Sequence, residues 1–219
     1  WLLTILALIL IGMNFLNREE PAPIYAGPLY GQIAIAVLPF SNFSDSEEDE
    51  YFSDGITEDI LTLLSRINDV RVISRTSVMQ YKNTNKTVRE IAAELNASHI
   101  LEGSVRKSGN KVRVVAQLID AVTDAHLWAQ TYDKEMTELF EIQSNVAQDI
   151  ALALEHELSP SEWANINKQP TKNLVAYEHY LKGREFYEKY DKVNNDKAIE
   201  HFKVALDLDT SFALAYAGM

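Results

Sequence analysis

The chain has 219 residues, 47% of them apolar, enough for one substantial core and a smaller appendage. Twenty Lys and Arg stand against 32 Asp and Glu, a formal charge of −12, which argues against a surface built to neutralise nucleic-acid phosphates. The absence of cysteine excludes thiol catalysis, disulfides and thiolate metal sites, and leaves the redox compartment open. One stretch carries eight acids with no base between them: Asp45, Glu47, Glu48, Asp49, Glu50, Asp54, Glu58 and Asp59.

Residues 1–16, WLLTILALILIGMNFL, hold no charge. At about 1.5 Å per residue they span roughly 24 Å, short of the roughly 30 Å hydrocarbon layer. The run lacks the basic flank and cleavage site of a secretory signal, so a transmembrane helix beginning upstream is the simplest reading, with a buried core helix as the alternative. Residues 17–32, with three prolines, two glycines and a net negative flank, read as a semi-rigid spacer on the non-cytoplasmic side.

Residues 33–38, IAIAVL, form a continuous apolar run closed by Pro39, which predicts a strand buried on both faces. SDGITEDILTLLSRI predicts a helix capped by Ser53 or Asp54, with Ile56, Ile60, Leu63, Leu64 and Ile67 on one stripe. VRVIS, residues 70–74, returns as a strand, and TVREIAAELN as a helix with Val88, Ile91, Ala92 and Leu95 at helical spacing. That order implies parallel pairing. Residues 99–120 then predict a hairpin turning at Ser108-Gly109-Asn110, and 125–133 a third strand of the same meander. FEIQSNVAQDIALALEHEL predicts a long closing helix with Phe140, Ile142, Val146, Ile150, Leu154 and Leu158 inward.

IAIAVLPFSNFSDSEEDEYFSDGITEDIL, RVISRTSV, ILEGSVRKSGNKVRVVAQLIDAVTDAHLWAQTYD and FEIQSNVAQDIA together resemble the TolB-amino-terminal-like (FlgO-like) domain over about residues 31–158. The resemblance implies a bacterial membrane protein in which this domain sits between a transmembrane helix and tetratricopeptide repeats. Such proteins commonly carry a class III adenylate cyclase, a winged-helix DNA-binding domain or a serine/threonine kinase before the helix. None of those domains is present in this sequence.

Pro160, Trp163 and Pro170 mark a second linker. AYEHYLKGREFYEKY and DKAIEHFKVALDLD then predict a helix pair, with Gly183, Ala198, Phe202 and Ala205 as the small and aromatic contacts of a tetratricopeptide repeat. Gly218 follows Gly183 by about one repeat period of roughly 34 residues. The Gly-to-Ala spacing is a few residues long, and Thr210 stands where such repeats usually have proline. The expected organisation is therefore a truncated transmembrane helix at 1–16, a linker at 17–32, an α/β domain with a mixed sheet at 33–158, a linker at 159–172 and an incomplete all-α repeat region at 173–219.

No catalytic, cofactor-binding or metal-binding residue is assigned. Asp45, Glu47 and Asp49 alternate like a calcium loop, but Glu50 stands where the turn needs Gly and Ile56 where a bidentate Glu belongs. A solvated loop with a helix cap is the simpler reading, and Asp54, Glu58 and Asp59 disfavour an anion at that terminus. His99, His126, His156, His179 and His201 form no HxH or HxxxH pair. Ser104 lacks the second Gly of a nucleophile elbow, while Trp128 and Tyr132 share a sheet face suited to packing against a helix. The leading functional expectation is a non-catalytic, single-pass inner-membrane protein with residues 17–219 in the periplasm. Its repeats bind a protein partner, no nucleic acid binds this segment, and binding is relayed to a cytoplasmic domain. The alternative is a small ligand at the carboxyl end of the first strand, near Phe40 to Asp54.

Overall fold

A computed structural model describes residues 33–46 and 49–219. The predicted membrane segment 1–16 and linker 17–32 lie outside the described residues, and among the described residues no helix is long and apolar enough to cross a membrane.

Strand β1 (Ile33–Val37) is an interior strand of the sheet. Ala34, Ile35, Ala36 and Val37 are all fully buried, as a strand covered on both faces requires. It pairs in parallel with β3 (Val70–Val72) and with β4 (His99–Ser108). β4 continues antiparallel into β5 (Lys111–Asp120) and then β6 (Ala125–Glu135), giving the order β3-β1-β4-β5-β6. A two-residue strand, β2 (Ser41–Asn42), adds to β4 in parallel. The mixed sheet expected from the sequence is present, and the β4–β5 turn places Gly109 at φ 58°, as predicted. Within the meander the register shifts between Leu118 and Ile119, opposite Trp128 and His126, so Leu127 drops out of the ladder and is exposed.

The helices cover both faces. On one side, α1 (Glu50–Leu64) and α4 (Leu139–Ala153) bury Phe52, Ile56, Ile60, Leu64, Ile142, Val146 and Ile150 against Val37, Leu101, Val114 and Leu118. On the other, α2 (Arg75–Met79) and α3 (Val88–Leu95) build a smaller core from Val78, Tyr81, Ile91 and Ala92 against Ala36 and Ile100. Gly103 on β4 marks the tightest approach: a Cβ there would fall 2.3 Å from the Val115 carbonyl oxygen and 2.8 Å from the Phe40 ring. Gly103→Ala is accordingly expected to lower unfolding free energy by about 1–3 kcal/mol in urea titration.

Three expectations are corrected. α1 begins at Glu50, so Ser53 and Asp54 lie inside its first turns and neither caps it; burial of Tyr51 and Phe52 extends the helix towards its N-terminus. α4 ends at Ala153, and Glu155 takes a left-handed φ of 57°, which stops the helix before Leu158. Residues 159–172, read as a linker, contain helix α5 (Pro160–Ile166). Ser159 accepts from the Glu162 backbone N–H while the Glu162 carboxylate accepts from the Ser159 N–H, a reciprocal cap with Pro160 in the first turn. Ile166 is buried and Glu162 also accepts from the Asn68 N–H at 2.7 Å, which fastens α5 to the approach to β3.

Helices α6 (Leu174–Tyr187) and α7 (Lys192–Leu208) pack against one another, and a short α8 (Ala213–Gly218) packs on both. The expected contact residues Gly183, Ala198, Phe202 and Ala205 are all buried there. Their core does not stand apart: Tyr177, Tyr180, Leu181, Phe202 and Phe212 belong to the same apolar cluster as Ile56, Phe140 and the sheet.

Candidate functional site

The seam where α6 lies on α1 and α4 is where the acidic stretch does most of its work. Asp59 sits among Ile56, Ile60 and Leu63, on the apolar stripe of α1, so its carboxylate faces inward. Tyr177 of α6, fully buried, donates its hydroxyl proton to that carboxylate. Gln143 of α4 donates from Nε2 to Asp59 Oδ2 at 3.0 Å and to Tyr177 Oη at 3.2 Å. Three helices thus meet in one hydrogen-bonded knot, and the Tyr177 ring adds an edge-on contact with Phe140 at 4.9 Å. Burial raises the Asp59 pKa to about 6, against the pull of the Tyr177 and Gln143 hydrogen bonds.

That shift sets the sign of a pH dependence. Asp59 holds its proton more tightly folded than unfolded, so its favourable contribution is fully present below about pH 4 and is lost as pH rises through about 6. Asp59→Asn, which keeps an acceptor for Tyr177, is expected to flatten this slope. It should raise unfolding free energy at pH 7.5 by on the order of 2 kcal/mol, with little change at pH 4, as read by urea titration at each pH.

Around the knot runs a ring of ion pairs. Glu58 meets Arg75 Nε of α2 at 2.7 Å and also the Arg184 guanidinium of α6, while Arg75 Nη2 reaches Glu188 at 2.7 Å. Lys82 bridges Glu50 at 2.6 Å and Asp54 at 2.8 Å, and Lys107 of β4 pairs with Glu178 of α6 at 2.7 Å. These groups are partly exposed, so each pair adds at most about 1 kcal/mol, and their main effect is to orient α6. A Cβ on Gly55 of α1 would come within 2.6 Å of Leu181, which shows how closely the two helices approach.

Asp54, Glu58 and Asp59, read from the sequence as acids at the start of the helix that disfavour an anion there, face Lys82, Arg75, Arg184 and Tyr177, and Glu50 also faces Lys82. Asp49 lies 3.9 Å from Lys107, and among the described residues no three His, Cys, Asp or Glu converge as a metal site. The carboxyl end of β1 is filled by the fully buried Phe40 ring, and the Phe40 N–H donates to Thr57 Oγ1 at 3.0 Å. His99 and His126 lie on β4 and β6, and Ser104 on β4 pairs with Ser41. Tyr132 packs under α4, donating to Asp149 Oδ2 at 2.6 Å. Two features escaped the motif search. One is Asp59, whose position on an apolar stripe was the available signal. The other is the contact between His179 and His201, which stand 22 residues apart on different helices and make no local pattern.

Comparison with known proteins covers both halves of this seam. "Putative adenylate cyclase 3" from Rhizobium meliloti (strain 1021) is 36% identical over 206 residues, which is 93% of this chain and 35% of that protein. The chain thus spans about a third of that relative's length. Among solved structures, TolB from Acinetobacter baumannii aligns with a TM-score of 0.44 at 17% identity, covering 59% of this chain and 30% of that one. The LpoB C-terminal domain from Salmonella enterica aligns with a TM-score of 0.40 at 13% identity, covering 56% and 91%. Residues 31–152, more than half of the sequence and the whole of the sheet, match the family described as the HilA/YgeH-like transcriptional regulator, second domain, and the chain belongs to that family.

Proposed function

We propose that the chain is the non-catalytic interaction module of a bacterial membrane-anchored signalling protein. In this reading residues 1–16 anchor it in the inner membrane and residues 17–219 lie in the periplasm. The helix pair from 173 onwards is of the tetratricopeptide type, and its surface takes a protein partner. The α/β domain passes that binding on to a cytoplasmic cyclase, DNA-binding or kinase domain outside this sequence, and the segment itself takes no nucleic acid and no cofactor.

The observation that carries the reading is the span of the match to the relative named as a cyclase. It runs over 93% of this chain, so the α/β domain and the helix pair occur together in both proteins. The knot of Asp59, Gln143 and Tyr177 supports a relay, because a partner that moves α6 must also move α1 and α4. The test begins with the open reading frame upstream of residue 1. A cyclase, winged-helix or kinase domain encoded there, whose output changes when residues 173–219 are deleted, supports the relay. An upstream effector whose output is indifferent to that deletion overturns it, as does a start codon with no effector domain.

A further inference from the structure

We propose that His179 of α6 and His201 of α7 form a two-imidazole latch that releases α7 from α6 when both rings carry a proton. The two Nδ1 atoms lie 3.0 Å apart and the ring centroids 5.2 Å apart. A contact of that length between two imidazole nitrogens needs one N–H donor and one bare acceptor. Two imidazolium rings offer two donors and no acceptor, so full protonation converts the bond into a repulsion between like charges. The latch therefore closes with one of its two Nδ1 atoms protonated and the other bare.

The surroundings reinforce this. Phe186 stacks on His201 with centroids 5.5 Å apart and planes 11° apart, shielding that ring from water. On α6 the ionisable neighbours are Glu178, Lys182 and Glu185; on α7 they are Lys197 and Glu200. Lys182 opposes a positive charge on either ring, while Glu178 and Glu185 are engaged by Lys107 and Lys189. Lys189 and Lys197 also stand over the Phe186 ring. Helix α8 contributes no Asp, Glu, Lys, Arg or His, and α1, on the far side of α6, presents Glu58 and Asp59 already held by Arg184 and Tyr177. Burial lowers the pKa of both histidines, with Lys182 adding to the effect on His179 and His179 itself adding to that on His201. A depressed histidine pKa contributes stability that is present above the unfolded value of about 6.5 and is lost as pH falls below it through the lower folded value. Asp59, at the other face of α6, responds in the opposite sense. Mild acid thus frees α7 while α6 stays fastened to the α/β domain.

The test is amide hydrogen exchange on the 219-residue chain at pH 7.5 and 5.0, corrected for intrinsic rates. Protection in α7 is expected to fall about tenfold more than protection in β4 and β5, as for a local opening of the helix that the sheet does not share. His201→Asn keeps a polar atom near the Nδ1 position but does not titrate, and should abolish that differential loss. An equal loss in both proteins, or none in the native chain, overturns the latch. The proton NMR titration of the native imidazoles reads the same device without a variant. Two separated steps, the second displaced to lower pH, are expected for a coupled pair, and two independent midpoints near 6.5 would refute it.

Discussion

Tyr177→Ala should lower the unfolding free energy by about 4 kcal/mol, the cost of emptying a large buried aromatic site. The fully buried ring is wedged against Phe140, and its hydroxyl is the proton donor to Asp59, so alanine leaves both a cavity and a desolvated carboxylate short of one donor. Tyr177→Phe separates the two effects. It keeps the ring, removes the donor, and should cost about 1–3 kcal/mol at pH 7.5. That cost should shrink at pH 4.5, where Asp59 is protonated and no longer a buried charge. Urea titrations at the two pH values check this, and limited proteolysis should show new cleavage between α5 and α6 only in the alanine variant. A penalty for Tyr177→Phe that is the same at both pH values would mean that Asp59 does not titrate in this range.

Phe202→Ala is expected to cost about 3–5 kcal/mol, and to spend that loss in a different place. The Phe202 ring lies between Gly183 of α6 and Gly218 of α8: a Cβ on the first would fall 2.5 Å from the ring and on the second 2.7 Å. Tyr180 covers it at 6.0 Å between centroids. Two glycines are needed because the ring fills the whole gap between three helices, and no larger residue fits either side. Removing it should strip exchange protection from α7 and α8 while β4 and β5 keep theirs. Uniform loss across the sheet would instead show that the chain unfolds as one cooperative unit, with no separable helix pair.

Much of the fold was legible because short-range patterns decide it. The all-apolar run at 33–38, the helical stripe of Ile56, Ile60, Leu63 and Leu64, and the Gly109 turn each specify one local structure, and each is present. The errors fall where a local signal was outweighed or overlooked. Ser53 has the chemistry of a cap, yet Tyr51 and Phe52 gain more by continuing the helix into the core. Ser159-Pro160-Ser161-Glu162 is a complete helix-start signature, and reading Pro160 as a linker mark hid it.

The candidate site was less legible. The sequence by itself determined that residues 45–59 are acidic, that Asp59 shares a helix face with Ile56 and Leu63, and that a pair of amphipathic helices follows the α/β domain. Only the tertiary structure decided that this face meets Tyr177 from 118 residues away, and that His179 meets His201 across two helices. The physical reason is one of range. Backbone propensity and hydrophobic periodicity act over a few residues, so they can be read along the chain. The partner of a buried charge or an imidazole is chosen by how whole helices stack, and that choice is made by the shared core rather than by either segment alone.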